Sequence, residues 1–278
     1  MRNTKIVADS AANLLELPQA EFAFAPLKIA TEEREFTDDA ELDVDRAVQY
    51  FFQYKGTSKT SCPNPSDWLE AFGDADDIFC VTITSGLSGS YNAACAAKEI
   101  YEKDHPGRRV CVIDSLSAGP EMELMVEKLE ELVVQGCAFE EIGGLIENYK
   151  QQTGLFFVLE SLKNFAANGR VSPAVAKITG VLGIRVVGTA SDQGTLKPLH
   201  KCRGQGRALE VILNELKASG LRRGKVRIAH CLNPVAAQEL SEMILLELPE
   251  ATVEIRQCRG LCSYYAERGG MLVGFEKI

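Results

Sequence analysis

The sequence predicts an α/β fold built as two packed halves. Three observations carry that expectation. Over the first 115 residues, short β-branched runs alternate with amphipathic helical patterns. Residues 78–84, about 88–103 and 109–114 read as strand, helix and strand, a βαβ unit that implies a parallel sheet with a right-handed crossover. Near residue 153 the pattern changes to apolar strands and turns, beginning with the run GLFFVLES.

In order, 6–8 is a short strand closed by Asp9-Ser10, and Val44, Val48, Phe51 and Phe52 recur at helical spacing. Asn64-Pro65 opens a second helix, since proline is tolerated in a first turn. After the βαβ unit come helices at about 120–135, closed by Gly136, and 139–150. In the second half, NGRVSPAVAKITGVLGIRVVGT reads as a helix leading into a strand, and SDQGTLKPL holds a turn between two extended pieces. A strand at 225–231, a helix from Pro234, and strands near 252–257 and 271–275 complete a second α/β layer. These elements define domains of 1–152 and 153–278, facing each other across a crevice without a long linker.

Composition excludes several function classes. A chain of 278 residues, 46% hydrophobic, can bury one large or two ordinary cores. The net charge of -9 comes from 39 acids and 30 bases spread along the chain, which is no footprint for nucleic acid. No secretory signal precedes Lys5-Ile6-Val7, and no apolar run reaches the roughly 18 residues that span a bilayer. The expected location is cytoplasmic. The nine cysteines are scattered, often flanked by apolar residues, and most read as reduced core thiols. Cys258 and Cys262 lie close together, but with no zinc or redox spacing, so no metal is expected.

The stretch VTITSGLSGSYNAA, residues 81–94, carries the candidate chemistry. A strand there runs into a helix through Thr84, Ser85, Gly86, Ser88 and Gly89. In a parallel sheet, ligands bind beyond the carboxyl ends of the strands, where unpaired helix N–H groups favour an anion. Glycines let a ligand approach the backbone, and the hydroxyls of Ser85 and Ser88 add donors suited to a carboxylate or phosphate. The ordinary reading is that Ser88 caps the helix and Ser85 occupies a turn. Company argues for more: Asp9-Ser10, Thr60-Ser61 and Asp114-Ser115 sit at comparable edges. Asp9 would repel an anion, so its expected work is to organise hydroxyls and N–H groups.

A nucleophilic role for these serines needs a base within reach. Only His105, His200 and His230 are available, His230 being the best candidate, and SGLSGS is not the G-x-S-x-G elbow. Gly204-x-Gly206 lacks the rest of a dinucleotide fingerprint, and no phosphate-binding P-loop is present. Arg170 and Arg203 each stand beside glycine where the second half turns toward the first; either alone is an ordinary surface arginine.

These segments resemble the DegV family of bacterial fatty-acid-binding proteins. KIVADSAANL is similar to its first strand and D-S turn, KTSCPNPSDWLEAF to its T-S-Q-P-S segment, and VTITSGLSGSYNAA to its S-S-x-L-S-G-T-Y element. SLKNFAANGRVS resembles L-x-x-L-x-x-G-G-R-[IV]-S, and GTLKPLHKCRGQGRAL resembles G-x-L-x-x-x-x-K-x-R-G. The matches run in the right order over nearly the whole chain.

The resemblance implies two α/β domains with one long-chain fatty acid between them and no cofactor beyond that ligand. Its carboxylate would be held by Thr60 and Ser85, with Ser88 and Gly86 shaping the loop. The family's binding protein is not itself an enzyme: it presents the acid to a separate fatty acid kinase for acyl-phosphate formation. For this chain no stable membrane insertion is expected, at most a transient membrane contact. Arg170 and Arg203 match basic positions at the pocket mouth. The usual histidine of the H-x-G-P-G segment is absent from YYAERGGMLVGF, which puts Tyr265 near its place. Cys62 and Asn64 also replace the usual Gln and Ser of T-S-Q-P-S. A tyrosine can donate to a carboxylate but carries no positive charge. The alternatives are a serine-dependent small-molecule hydrolase, or a DegV-type binder of another lipid or carboxylate.

Overall fold

The computed structural model describes residues 2–172, 175 and 183–278. Most of the helix expected within NGRVSPAVAKITGVLGIRVVGT lies outside the described residues.

The first half is organised on four parallel strands. Strand β1 (Thr4–Asp9) pairs with β2 (Glu21–Ala25) on one side and β6 (Asp77–Thr82) on the other, and β6 pairs with β7 (Arg109–Asp114), giving the order β2-β1-β6-β7. Every residue of β6 is buried, as expected of a central parallel strand with both faces covered. Helix α2 (Pro65–Phe72) begins as the sequence predicts. The Asn64 side chain accepts from the N–H of Ser66 (2.8 Å) and Asp67 (3.1 Å), while the Asp67 carboxylate accepts from Asn64 N–H. Helix α3 (Ser90–Asp104) completes the βαβ unit, but starts two residues after the expected Ser88. Gly89 is its N-cap residue, and Ser88 Oγ accepts the N–H of Ser90 at 3.2 Å.

Three short strands were not apparent from the sequence. Strands β3 (Lys28–Thr31), β4 (Glu35–Thr37) and β5 (Ser58–Ser61) form a separate antiparallel sheet, ordered β4-β3-β5. Strand β5 reads SKTS, with no apolar residue to mark it, and it exists because β3 supplies its partners. Helix α1 (Val44–Gln53) lies between β4 and β5 in the chain.

The second half holds a six-stranded mixed sheet. It contains β8 (Thr153–Leu159), β9 (Ile184–Ala190), β10 (Leu196–Arg203), β11 (Gly224–His230), β12 (Ala251–Gln257) and β13 (Met271–Glu276), in the order β10-β9-β8-β13-β11-β12. Only β11 and β12 pair in parallel. The expected turn in SDQGTLKPL joins β9 to β10, and Pro198 sits on the edge strand beside a register shift, where its missing N–H costs no ladder bond. Among the described residues, helices α6 (Lys163–Ala167), α7 (Gln205–Ala218), α8 (Pro234–Glu247) and the short α9 (Gly260–Ala266) belong to this half.

Helix α4 (Pro120–Val134) joins the halves, and α5 (Phe139–Lys150) follows it. Its Met122, Met125 and Leu129 belong to the core under the parallel sheet. Its carboxylates reach the mixed sheet: Glu127 takes a two-pronged contact from Arg227 at 2.8 and 2.8 Å, and Glu121 accepts from Thr153 at 2.8 Å. The close fit requires Gly274 on β13, where a Cβ would fall 2.5 Å from the Pro120 carbonyl carbon. Gly274→Ala should therefore destabilise the protein by about 1–3 kcal/mol through overpacking. Chemical denaturation would check this, with an unchanged midpoint counting against the fit.

Candidate functional site

An apolar cavity lies where the two halves meet. Leu27 and Ile83 come from the first half, and Leu155, Phe157 and Leu159 of β8 and Leu272 of β13 from the second. Its empty space, counted out through the open mouth, is about 820 Å3. The lining also holds polar residues, Thr84, Ser88, Ser117, Arg170, Thr189, Thr195 and Tyr265, with Arg170 bonded to the Leu87 carbonyl beside Ser88.

Buried carboxylates fix the loops that bring these groups together. Asp9, wholly buried at the end of β1, accepts from Ile83 N–H (2.8 Å), Ser90 Oγ (2.6 Å) and Ala11 N–H (3.2 Å). It organises hydroxyl and N–H groups, as the sequence suggests. Asp38 is also fully buried and accepts the N–H groups of Gly260 (2.9 Å) and Leu261 (2.8 Å), anchoring the start of α9 to the first half. Sequence reading missed Asp38 because its partners lie more than 200 residues away.

Helix α9 then presents Tyr265. Its Oη lies 2.7 Å from Thr60 Oγ1, and its ring packs on Phe165 at 4.6 Å between centroids. Burial pushes the Tyr265 phenol up, while the bond to Thr60 and the Arg170 charge pull it back. The phenol is thus a neutral hydroxyl at physiological pH. Thr60 N–H donates to Asn168 Oδ1 at 3.1 Å, and Asn168 Nδ2 donates to Tyr264 Oη at 3.0 Å. Arg170 ties the halves directly: its Nε donates to Leu87 O at 3.2 Å, and its guanidinium also bonds Asn168 O.

The expected site residues divide into two groups. Ser88, Arg170 and Tyr265 line the cavity, and Thr60 reaches it through Tyr265. Ser85 is exposed and outside the lining, its N–H donating to Asp114 Oδ1 at 3.1 Å. The buried neighbour Thr84 occupies the lining instead, its Oγ1 accepting Gly86 N–H at 3.0 Å. Gly86 is needed for another reason: a Cβ there would lie 2.4 Å from Gln193 O. The β9–β10 turn docks here, and at Gly194 a Cβ would lie 1.9 Å from Thr84 Oγ1. Arg203 is exposed at the end of β10 and does not line the cavity.

No histidine is hydrogen-bonded to Ser85 or Ser88 among the described residues. His105 contacts Tyr101 O, His200 pairs with Glu215, and His230 accepts from Asn233 N–H. The same residues hold no group of three or more His, Cys, Asp or Glu side chains able to bind a metal, and no helix long and apolar enough to cross a membrane.

A family described as "Uncharacterised protein, DegV family" matches residues 3–277. The chain belongs to the DegV family. A DegV domain-containing protein of Streptococcus pneumoniae strain R6 is 44% identical over 276 residues, covering 98% of each chain. Among solved structures, a DegV family protein from Eubacterium eligens loaded with heptadecanoic acid superposes with a TM-score of 0.97 at 46% identity, covering 99% of this chain and 100% of that one. The Streptococcus pneumoniae fatty acid kinase B3 protein loaded with linoleic acid gives 0.97 at 43% identity, with the same coverage. The resemblance seen in the DegV motifs, and the α/β class, both hold.

Burial raises the Asp9 carboxyl of this DegV protein from its ordinary value near 3.8 to about 7, against the bonds from Ser90, Ile83 and Ala11 that lower it. An acid whose folded pKa is raised stays protonated in the native state while the unfolded chain ionises. Its contribution to stability therefore falls as pH rises from about 4 to 7. Asp9→Asn should lose stability relative to wild type least at the upper end of that window. Denaturation midpoints measured across it would test this, and a constant difference would count against the assignment.

Proposed function

We propose that this protein binds one long-chain fatty acid, with the acyl chain in the apolar cavity and the carboxylate among the polar groups at its edge. The observation that carries this reading is an apolar cavity between the halves whose polar groups include Ser88, Arg170 and the Tyr265–Thr60 pair. Burying roughly 15 methylene and methyl groups at about 0.8 kcal/mol each supplies on the order of 12 kcal/mol before ordering costs. The hydroxyls and one guanidinium then need only orient the head group. The fatty acids carried by the Eubacterium eligens and Streptococcus pneumoniae proteins support the assignment.

The proposed role is non-catalytic and cytoplasmic. Residues 1–152 supply the hydroxyl loops, and residues 153–278 cover the acyl chain. A fatty acid kinase is the proposed partner, supported by the name of the Streptococcus pneumoniae relative. Acid delivery would involve transient contact with a membrane, and Arg203 at the surface would meet the partner. Tyr265 favours acid binding over handling of a phosphorylated product, since its hydroxyl donates without adding charge.

Protein purified from a bacterial host should release a long-chain acid into organic solvent at close to one equivalent; fully folded protein yielding none would refute the reading. Hydrogen bonds to a charged group contribute roughly 1.5–3 kcal/mol, so Thr60→Val or Ser88→Ala should weaken acid binding by about tenfold to a hundredfold. Ser85→Ala distinguishes the family pattern from the cavity geometry. A loss equal to that of Thr60→Val supports Ser85 at the head group, whereas unchanged affinity assigns that place to Thr84 and Ser88. The hydrolase reading predicts labelling by a fluorophosphonate probe, and we expect no labelled serine.

A further inference from the structure

Behind the polar edge of the cavity lies a second recess of opposite character. Two adjoining clefts, with about 620 and 590 Å3 of empty space, share Phe51, Lys163, Asn164 and Tyr264. Phe52, Lys55 and Arg268 line one, and Tyr54, Ser58 and Lys59 line the other. Tyr264 and Tyr265, consecutive on α9 with ring centroids 5.0 Å apart, face the two sides: Tyr265 lines the acyl cavity and Tyr264 the recess.

Cations outnumber carboxylates in its lining, and Glu32 is held beside it by Thr57. Lys55, Lys59, Lys163 and Arg268 line it against one carboxylate, Glu267, in a chain of net charge -9. Glu267 is already engaged, accepting from Ser161 Oγ at 2.7 Å and from Asn164 N–H. None of the four cations forms an ion pair among the described residues; Arg268 instead lies over the Phe52 ring at 5.7 Å. All four are exposed, so they keep their hydration at modest cost until a ligand arrives. Phe52, 61% exposed, gives the recess an apolar lip.

We propose that the recess is a binding site for the phosphate group of a phosphate ester, with Phe52 and Tyr54 packing on its organic part. Several lysine point charges and one guanidinium suit an anion that carries close to two charges over three oxygens, whereas a carboxylate is satisfied by one cation. The same chemistry is offered by a soluble compound with a terminal phosphate and by the phosphomonoester headgroup of phosphatidic acid. The site does not depend on the identity of the acid in the cavity, so either proposal can fail alone.

The test has a soluble arm and a lipid arm. Inorganic pyrophosphate and a nucleoside diphosphate are titrated calorimetrically at low salt, and flotation is measured with phosphatidic-acid-containing and pure phosphatidylcholine vesicles. Saturable binding is expected in at least one arm, and the arm that responds identifies the source. Lys163→Gln/Arg268→Gln should weaken it by about tenfold or more, with the bound acid and thermal midpoint retained. The charge-matched control Lys197→Gln/Lys201→Gln on β10 should retain the affinity. Absence of binding in both arms, binding unaffected by the first pair of substitutions, or an equal loss in the control would overturn the proposal.

Discussion

The structure depends on one helix being buried on two sides at once. Helix α4 meets the parallel sheet with methionine and leucine, and meets the mixed sheet with glutamates that find arginine and threonine partners. A helix with a single apolar stripe could satisfy only one of these neighbours. The carboxylates on its other side cost desolvation, which raises Glu123 to about 7 even beside Arg256 and Arg227. In return they make contact with the second sheet directional, because a two-pronged arginine contact tolerates little rotation. That contact, together with the close packing of Gly274 on Pro120, fastens the mixed sheet to the helix.

Buried carboxylates do related work at the ligand end. Asp9 and Asp38 take up backbone N–H groups that come from other segments of the chain. Each therefore acts as a joint between segments rather than as a reactive group. The result is a polar edge assembled from both halves, with Thr84 and Ser88 held from one side and Arg170 and Tyr265 from the other.

Much of this was legible in the sequence because its signals are local. The βαβ unit, the Asn64 cap and the turn between β9 and β10 each depend on residues within a few positions of one another. The β3–β5 sheet and α9 were not legible, and the reason is physical. SKTS has no period to read, and GLCSYYA starts with glycine and is held by a carboxylate from the opposite end of the chain. At the site, the motif VTITSGLSGSYNAA located the loop correctly. Which hydroxyl faces inward depends on where β6 ends: Thr84 is buried and the next residue, Ser85, is not. A one-residue difference of this kind follows from backbone geometry that motif spacing does not encode.

The contact of the β9–β10 turn with the hydroxyl loop leaves no spare volume on either side. Gly86 faces Gln193 O, and Gly194 faces Thr84 Oγ1 and Leu116 O, each closer than any side chain could allow. Enlarging Gly86 would push back the Gln193 carbonyl, and enlarging Gly194 would displace the Thr84 side chain and the Leu116 carbonyl, opening the cavity wall at Thr84. Each position therefore requires glycine on its own account, although the two are separated by about a hundred residues. The closed stretch of cavity wall at Thr84 thus rests on two glycines far apart in the chain.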